Sequence, residues 1–411
     1  MTQPHGRWSE VARAVGLLGP DGTARPTIFA EMSALAARTG AVNLGQGFPD
    51  VDGPASVVEA AVAAMRSGRN QYPPGAGTPE LRRAVVDHQR RHYGLDVDPD
   101  REVLVTTGAT EALAATVLAL AGPGEEVLTL EPFYDSYAAV IALAGATHTT
   151  APLVRVPARG SAPAFRLDEA ALRAAFSPRT RLVLLNTPHN PTGAVLSRTE
   201  LGLVARLARE HDALVVTDEV YEHLVFDGAE HVPVATLPGM ADRTLTISSA
   251  GKTFSFTGWK IGWLTGPAPL VDAVRAVKQF LTYVSGAPFQ PAIAHALTDD
   301  AVAAWVRDLA TSLAARRDLL CDGLEAAGFT VTRPAGTYFV VADGAPLGFE
   351  DGADLCRRLP ELAGVVGVPV RAFTRPGSAA DDALASAVRF TFVKREDVLH
   401  DAVDRLARLA S

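Results

Sequence analysis

Between about residues 100 and 270 the chain alternates short apolar runs with amphipathic stretches. The runs Val103–Thr107, Val127–Leu130, Leu182–Asn186, Leu214–Thr217, Thr244–Ser248 and Ile261–Thr265 are apolar at nearly every position. Continuous rather than alternating apolarity is the mark of strands buried on both faces, as in a mostly parallel sheet. Thr110–Ala121 and Thr199–His211 carry helical spacing between them. This segment therefore predicts a large α/β unit with helices packed on its sheet.

Past about residue 290 the pattern changes. A long helix is expected from Asp300 to Ala327, stopped by Gly328. Tyr338–Ala342, Val365–Phe373 and Ala387–Val393 then read as strands, with helices near Asp351–Leu359 and Glu396–Leu409. That mixture suits a smaller α+β unit. The first 45 residues show one helix, about Ile28–Arg38, and are too short to fold alone, so they are expected to pack on the smaller unit. The expected division is an N-terminal arm at 1–45, a large domain at 46–290 and a small domain at 291–411.

Composition removes several classes of function. With 48% hydrophobic and 20% charged residues the chain can fill packed cores, which excludes a disordered or collagen-like protein. Two cysteines, Cys321 and Cys356, make no redox or metal spacing and suit a reducing compartment. No apolar run is long enough to span a bilayer, and no secretory h-region follows the first basic residues. A cytoplasmic protein with no membrane partner is expected. A net charge of -8 argues against a nucleic-acid partner. None of the ten histidines was matched to a metal spacing such as H-E-x-x-H, so no metal is expected.

Only four of the 38 basic residues are lysines: Lys252, Lys260, Lys278 and Lys394. A chain that favours arginine this strongly keeps lysine where arginine chemistry fails. Lys252 follows a strand end in Ser248-Ser-Ala-Gly-Lys252-Thr, nearly free of other charges, where its amine suits Schiff-base chemistry. Upstream, Thr107-Gly108-Ala109-Thr110 joins a strand to a helix, and the unpaired N–H groups of such a start form an anion site unless the turn is mere connection. Asn186 with Asn190, Asp218, and Ser248–Ser249 sit at further strand ends, where ligands of open α/β sheets bind. Taken alone, Asp218 reads equally well as a helix N-cap.

Asn186-Thr-Pro-His-Asn190-Pro-Thr-Gly193, Asp218-Glu-Val-Tyr221, Ser249-Ala-Gly-Lys252 and Arg389-Phe-Thr-Phe, in this order, resemble the class I/II aminotransferases of fold type I, which use pyridoxal 5'-phosphate. The likeness runs from about Asn43 to the C-terminus. Gly45-Gln-Gly-Phe-Pro-Asp50, Asn70-Gln-Tyr72 and Glu131-Pro-Phe-Tyr134-Asp-Ser-Tyr137 narrow it to the branch of kynurenine aminotransferase, glutamine transaminase K, methionine aminotransferase and N-succinyldiaminopimelate aminotransferase. Thr27-Ile-Phe29 and Ser285-Gly-Ala-Pro-Phe-Gln290 look closest to the succinyldiaminopimelate type.

The resemblance implies a mostly parallel central sheet flanked by helices, a smaller α+β domain built from both termini, and a ping-pong transfer of an amino group from an L-amino acid to a 2-oxo acid. It makes Lys252 the Schiff-base lysine and proton shuttle, Asp218 the partner of the ring nitrogen, and Asn190 and Tyr221 the partners of the ring hydroxyl oxygen. Tyr134 would stack on the ring, although an ordinary core tyrosine fits the same pattern. Gly108, Ala109, Thr110, Ser249 and Lys260 would hold the phosphate, joined by Tyr72 from a second subunit, which implies a homodimer; a turn tyrosine packed on Pro73 is the plainer reading of Tyr72. Arg389 would bind the substrate α-carboxylate beside Asn186 and Gly47, with Phe29 and Tyr283 lining the side-chain pocket. A same-fold β-lyase begins with the same proton loss and stays open; a cofactor-sensing regulator lacks room for a DNA-binding domain before residue 27.

Overall fold

The computed structural model describes residues 6–19, 21–156 and 163–410. Residues 1–5, in the expected N-terminal arm, and residue 411 lie outside that set. An eight-stranded sheet runs in the order Val103–Thr106, Gly262–Thr265, Thr244–Ser249, Leu214–Asp218, Thr180–Asn186, Glu126–Glu131, Thr147–Val156, Ala164–Leu167. Six of these strands are parallel to one another; Gly262–Thr265 and the edge strand Ala164–Leu167 run the other way. Neighbouring residues explain the continuous apolar runs. Leu128, Val183, Leu185 and Val215 enter one apolar cluster, and Val127, Leu182, Leu184 and Val216 enter another. Both faces are covered, so the few polar residues along these strands, such as Thr129, Thr217 and Thr246, are buried as well.

A second sheet of four strands, Thr330–Thr332, Phe339–Asp343, Ala387–Thr391 and Val368–Pro369, is antiparallel throughout. Its core takes in Met32 and Ala36 from the helix Ile28–Thr39, together with Leu313, Leu355 and Leu399 from the helices Asp300–Ala326, Gly352–Ala363 and Glu396–Leu406. The N- and C-terminal parts of the chain thus share one core.

Several expectations need correction. The segment 365–373 is not one strand. Val365–Val366 pairs with Val42–Asn43, Val368–Pro369 pairs with the strand carrying Arg389, and Val370–Phe373 is a 3-10 helix. Gly367 and Pro369 divide it: a side chain at 367 would reach within 2.4 Å of Val388, and Pro369 lacks a donor and sits on the sheet edge. The first 45 residues hold a second helix, Trp8–Ala14, which buries no residue and packs against Asp135–Ala144 on the large sheet's side, not on the smaller unit. Thr147–Val156 was missed because Thr147-His-Thr-Thr offers no apolar run.

Helix ends follow local rules. Arg198–Glu210 opens with a full capping box, in which Ser197 accepts from the Glu200 amide and Glu200 accepts from the Ser197 amide. Ser197→Ala is expected to lower the unfolding free energy by about 1 kcal/mol, read as a fall in the urea midpoint at constant m-value. An unchanged midpoint would show that the cap contributes nothing.

Candidate active site

Five strand ends and the loops after them converge on one cavity of about 360 Å³ between the two sheets. At its first wall the strand Val103–Thr106 passes through Thr107 into the helix Gly108–Leu120. Most helices here that begin with Ser, Thr or Asp are capped by that side chain, but Thr107 caps nothing. Its hydroxyl turns to Thr282 and Ser285 instead. The first-turn amides at Gly108, Ala109 and Thr110 therefore face the cavity without a side-chain acceptor, at the positive end of the helix dipole. Gly108 has φ +70, and a Cβ there would meet Lys260 Cε at 3.3 Å. Lys260 lies with its Nζ 3.5 Å from Thr110 Oγ1. Ser249 starts the short helix Ala250–Thr253 and likewise spends no hydroxyl on a cap. Amides, a hydroxyl and an ammonium thus converge where a phosphate would fit.

The floor is Asp218, at the end of Leu214–Asp218 and 4% exposed. Tyr137 donates to its Oδ2 at 2.7 Å, and the Val220 amide lies 3.4 Å from Oδ1. No helix follows it; the next residues form turns. Burial pushes its carboxyl up to about 6, against the lowering pull of Tyr137, Val220 and Lys252. The half-buried Lys252 comes from the short helix after Thr244–Ser249, with Nζ 5.9 Å from the Tyr221 ring and 5.8 Å from that of Tyr338. Among the described residues Lys252 has no hydrogen-bond or ion partner. Tyr221 stands edge-on to Tyr338, and burial together with that neighbour holds its phenol well above the usual value.

Across the cavity is Arg389, on the strand Ala387–Thr391 and 2% exposed. Its Nη1 donates to Asn190 Oδ1 at 3.0 Å and its Nη2 to the Gly45 carbonyl at 2.8 Å, while Nε has no partner among the described residues. The guanidinium lies over Phe339, Phe373 and Phe29, at 4.1, 4.7 and 5.4 Å from their ring centres. Burial lowers it to about 10. Among the described residues no carboxylate reaches ion-pair distance of it. A buried cation with spare donors and no counter-ion is a receptor for an anion.

Of the residues singled out in the sequence, Gly47, Phe29, Gly108, Ala109, Thr110, Tyr134, Asn186, Asn190, Asp218, Tyr221, Ser249, Lys252, Lys260 and Arg389 all line this cavity. Two do not. Tyr72 is 79% exposed and Tyr283 is 42% exposed; they pack on each other with ring centres 5.3 Å apart, outside the chain's own cavity. Asn186 lines the wall, but its carboxamide is committed to the backbone: Nδ2 donates to the Asp218 carbonyl, and Oδ1 accepts from the Asn190 amide. These two bonds fix Asn190 and Asp218, and the Nδ2 group has a second hydrogen besides. Sequence reasoning gave no role to Tyr137, Tyr338 or Phe339. Tyr137 was within reach, since three residues after Tyr134 falls on the same helix face. Tyr338, whose hydroxyl donates to the Gly47 carbonyl, stands just before the strand Phe339–Asp343, and Phe339 opens that strand opposite the sequence-distant Thr391.

The aminotransferase class I and II family model matches residues 39–406. A probable N-succinyldiaminopimelate aminotransferase of Mycobacterium tuberculosis is 57% identical over 389 residues, covering 93% of this chain and 96% of that protein. The methionine aminotransferase of Escherichia coli is 37% identical over 383 residues, again covering 93% and 96%. The solved structure of N-succinyldiaminopimelate aminotransferase from Mycobacterium tuberculosis superposes with a TM-score of 0.90 at 54% identity, across 99% of this chain and 100% of that one. With its buried acid, its lysine and its buried arginine around one cavity, the chain belongs to the aminotransferase class I and II family.

Proposed function

We propose that this aminotransferase binds pyridoxal 5'-phosphate in the cavity between the sheets and passes an amino group from an L-amino acid to a 2-oxo acid. The observation that carries this is the pair of buried, unneutralised charges, Asp218 and Arg389, on opposite walls with Lys252 between the two sheets. The donor set fits the cofactor. Gly108, Ala109, Thr110, Ser249 and Lys260 would take its phosphate, Asn190 and Tyr221 its ring hydroxyl oxygen, and Tyr134 one ring face. Bound there, it would supply the electron-accepting ring that makes the α-proton of the substrate acidic.

The protein's own residues do the rest. Asp218, anionic once opposed by a cation, would hold the proton on the ring nitrogen, with Tyr137 fixing its orientation. Arg389 would clamp the substrate α-carboxylate bidentately, since a planar fork beside aromatic faces suits a buried carboxylate. Lys252 would anchor the cofactor and, released by the incoming amine, move the α-proton through its Nζ. Because Arg389 stands on the smaller sheet and Asp218 and Lys252 on the larger, the arm, large-domain and small-domain division at residues 45 and 290 would let the two walls close on the substrate.

Tyr72, Phe280, Leu281 and Tyr283 form an exposed aromatic and apolar group, with Phe280 88% exposed, which supports a homodimer in which Tyr72 and Tyr283 serve the partner's cavity. No helix among the described residues is long and apolar enough to cross a membrane, in keeping with a cytoplasmic enzyme. The identity to the Mycobacterium relative favours a long substrate ending in a succinylated amine, with kynurenine and methionine as the competing donors.

Replacing Lys252 by alanine is expected to cut turnover by at least ~10²–10⁴-fold and to abolish borohydride trapping of the cofactor on the protein. Intact trapping would refute the assignment. Arg389→Lys should lower kcat/KM by roughly 10²-fold for every amino donor alike, because a single-point ammonium replaces the fork. A donor panel of succinyldiaminopimelate, kynurenine, methionine and glutamine against 2-oxoglutarate distinguishes the substrate classes by kcat/KM.

Asp218→Asn separates folding from catalysis. The raised pKa means that protonated Asp218 stabilises the ligand-free fold, and that this stability is lost as pH rises from about 4 through about 6. The ligand-free variant should therefore match the parent in thermal stability near pH 4 and exceed it above pH 6, by up to ~3 kcal/mol. Activity should fall at every pH. Equal stability of the two at pH 8 would contradict the desolvated state of Asp218.

A further inference from the structure

A cluster of imidazoles lies apart from the cavity. His88 and His92, on one face of the helix Pro79–Tyr93, meet His223 from the turn after Tyr221. The three rings form a near-regular triangle, with centroids 4.6, 4.9 and 4.9 Å apart. One nitrogen from each lies within 4.8 Å of the other two. His88 Nε2 and His223 Nε2 face each other at 2.7 Å, and among the described residues His88 Nδ1 has no partner although the ring is 3% exposed. The spacing His88-Gln-Arg-Arg-His92 places two imidazoles one helical turn apart, which the sequence reading passed over.

We propose that His88, His92 and His223 form a binding site for a divalent first-row transition ion, with Zn²⁺ in a three-nitrogen set and water in the open position. Imidazole nitrogen is the ligand of choice for this class of ion, and calcium or magnesium, which require oxygen, are disfavoured. Around Zn²⁺ the ligand nitrogens stand about 3.3 Å apart, so the facing pair opens slightly and the exposed His92 ring swings inward. His92 gives the ion its entry from solvent.

Electrostatics favour a cation here. Glu222, next in sequence to His223, is 4% exposed and accepts from the hydroxyls of Tyr93 and Ser248. Its neighbour Glu219 has His231 at 2.8 Å, but among the described residues Glu222 has no ion pair. An ion on the three imidazoles would sit beside this uncompensated carboxylate. It would also fasten the helix Pro79–Tyr93 to the turn that follows Asp218 and Tyr221, from outside the catalytic cavity.

The test uses holoenzyme without an affinity tag, stripped with a chelator and titrated with Zn²⁺ against a chromophoric competitor. The expected result is one ion per chain, with affinity lowered at least ~10-fold in both His92→Gln and His223→Asn. Zn²⁺ should raise the melting temperature of the parent but not of His92→Gln, whose turnover should be unchanged because His92 is exposed and outside the cavity. Co²⁺ should give the intense visible bands of a four-coordinate site, absent in the same variant. No saturable binding, equal affinity in parent and His92→Gln, or a weak six-coordinate Co²⁺ spectrum would overturn the proposal.

Discussion

A carboxylate and a guanidinium are buried on opposite walls of one cavity without neutralising each other, and the arrangement of the rest of the site follows from keeping them so. Each charge taken from water costs several kcal/mol when unpaired. Asp218 responds by rising to about 6, and Arg389 by falling to about 10. Both shifts have burial as their leading cause. An anion brought to Arg389 and a cation brought to Asp218 each relieve one of these costs, so the fold holds in reserve part of the energy with which it binds. Packing must be strong enough to tolerate this, and the two apolar layers on the large sheet and the shared terminal core supply it.

Keeping the charges apart is a matter of topology. Asp218 ends a central strand of the large sheet, while Arg389 lies on a different sheet altogether. Asn190 bridges the gap, accepting from Arg389 while its own amide is held by Asn186, whose other end grips the Asp218 carbonyl. Two linked asparagines thus tie the cation wall to the acid floor. The reversed strand Gly262–Thr265 contributes differently. It pairs against Val103–Thr106 and brings Lys260 back to the start of the next helix, and only glycine at 262 fits, since a Cβ there would lie 2.7 Å from the Gly108 carbonyl carbon.

Much of this was legible in the sequence because two-sided burial writes itself as uninterrupted apolar runs, and because strand ends at Thr107, Asn186, Asp218 and Ser249 break those runs with polar residues. Fourteen of the sixteen site residues named from the sequence line the cavity. Tyr72, expected to act from a second subunit, does not, and neither does Tyr283, expected to line the side-chain pocket; both are exposed and pack on each other. Illegible features share one property: they depend on pairings distant in sequence. The strand Thr147–Val156 gains its place from six partners on Glu126–Glu131, not from its own composition. Phe339 reaches the site through register with Ala387–Thr391, and Tyr338 stands just before the strand that Phe339 opens. The two backbone bonds of the Asn186 carboxamide, to the Asp218 carbonyl and from the Asn190 amide, likewise depend on the paths of two distant segments.

Departures from local rules collect around the cavity, and this supports the assignment independently of any family likeness. A threonine at a helix start ordinarily caps it, yet Thr107 turns away; Ser249 does the same. Lys260 holds φ at +56, a conformation that costs a residue with a side chain about 1 kcal/mol or more. Arg389 keeps a buried Nε unpartnered. Each departure leaves a donor or a charge pointing at the same space. Elsewhere the capping rules hold, as at Ser197, Asp299 and Asp351. At Thr107, Ser249, Lys260 and Arg389 the sequence gives up local stability around one cavity, and what it leaves there is a set of donors suited to an anion at two points.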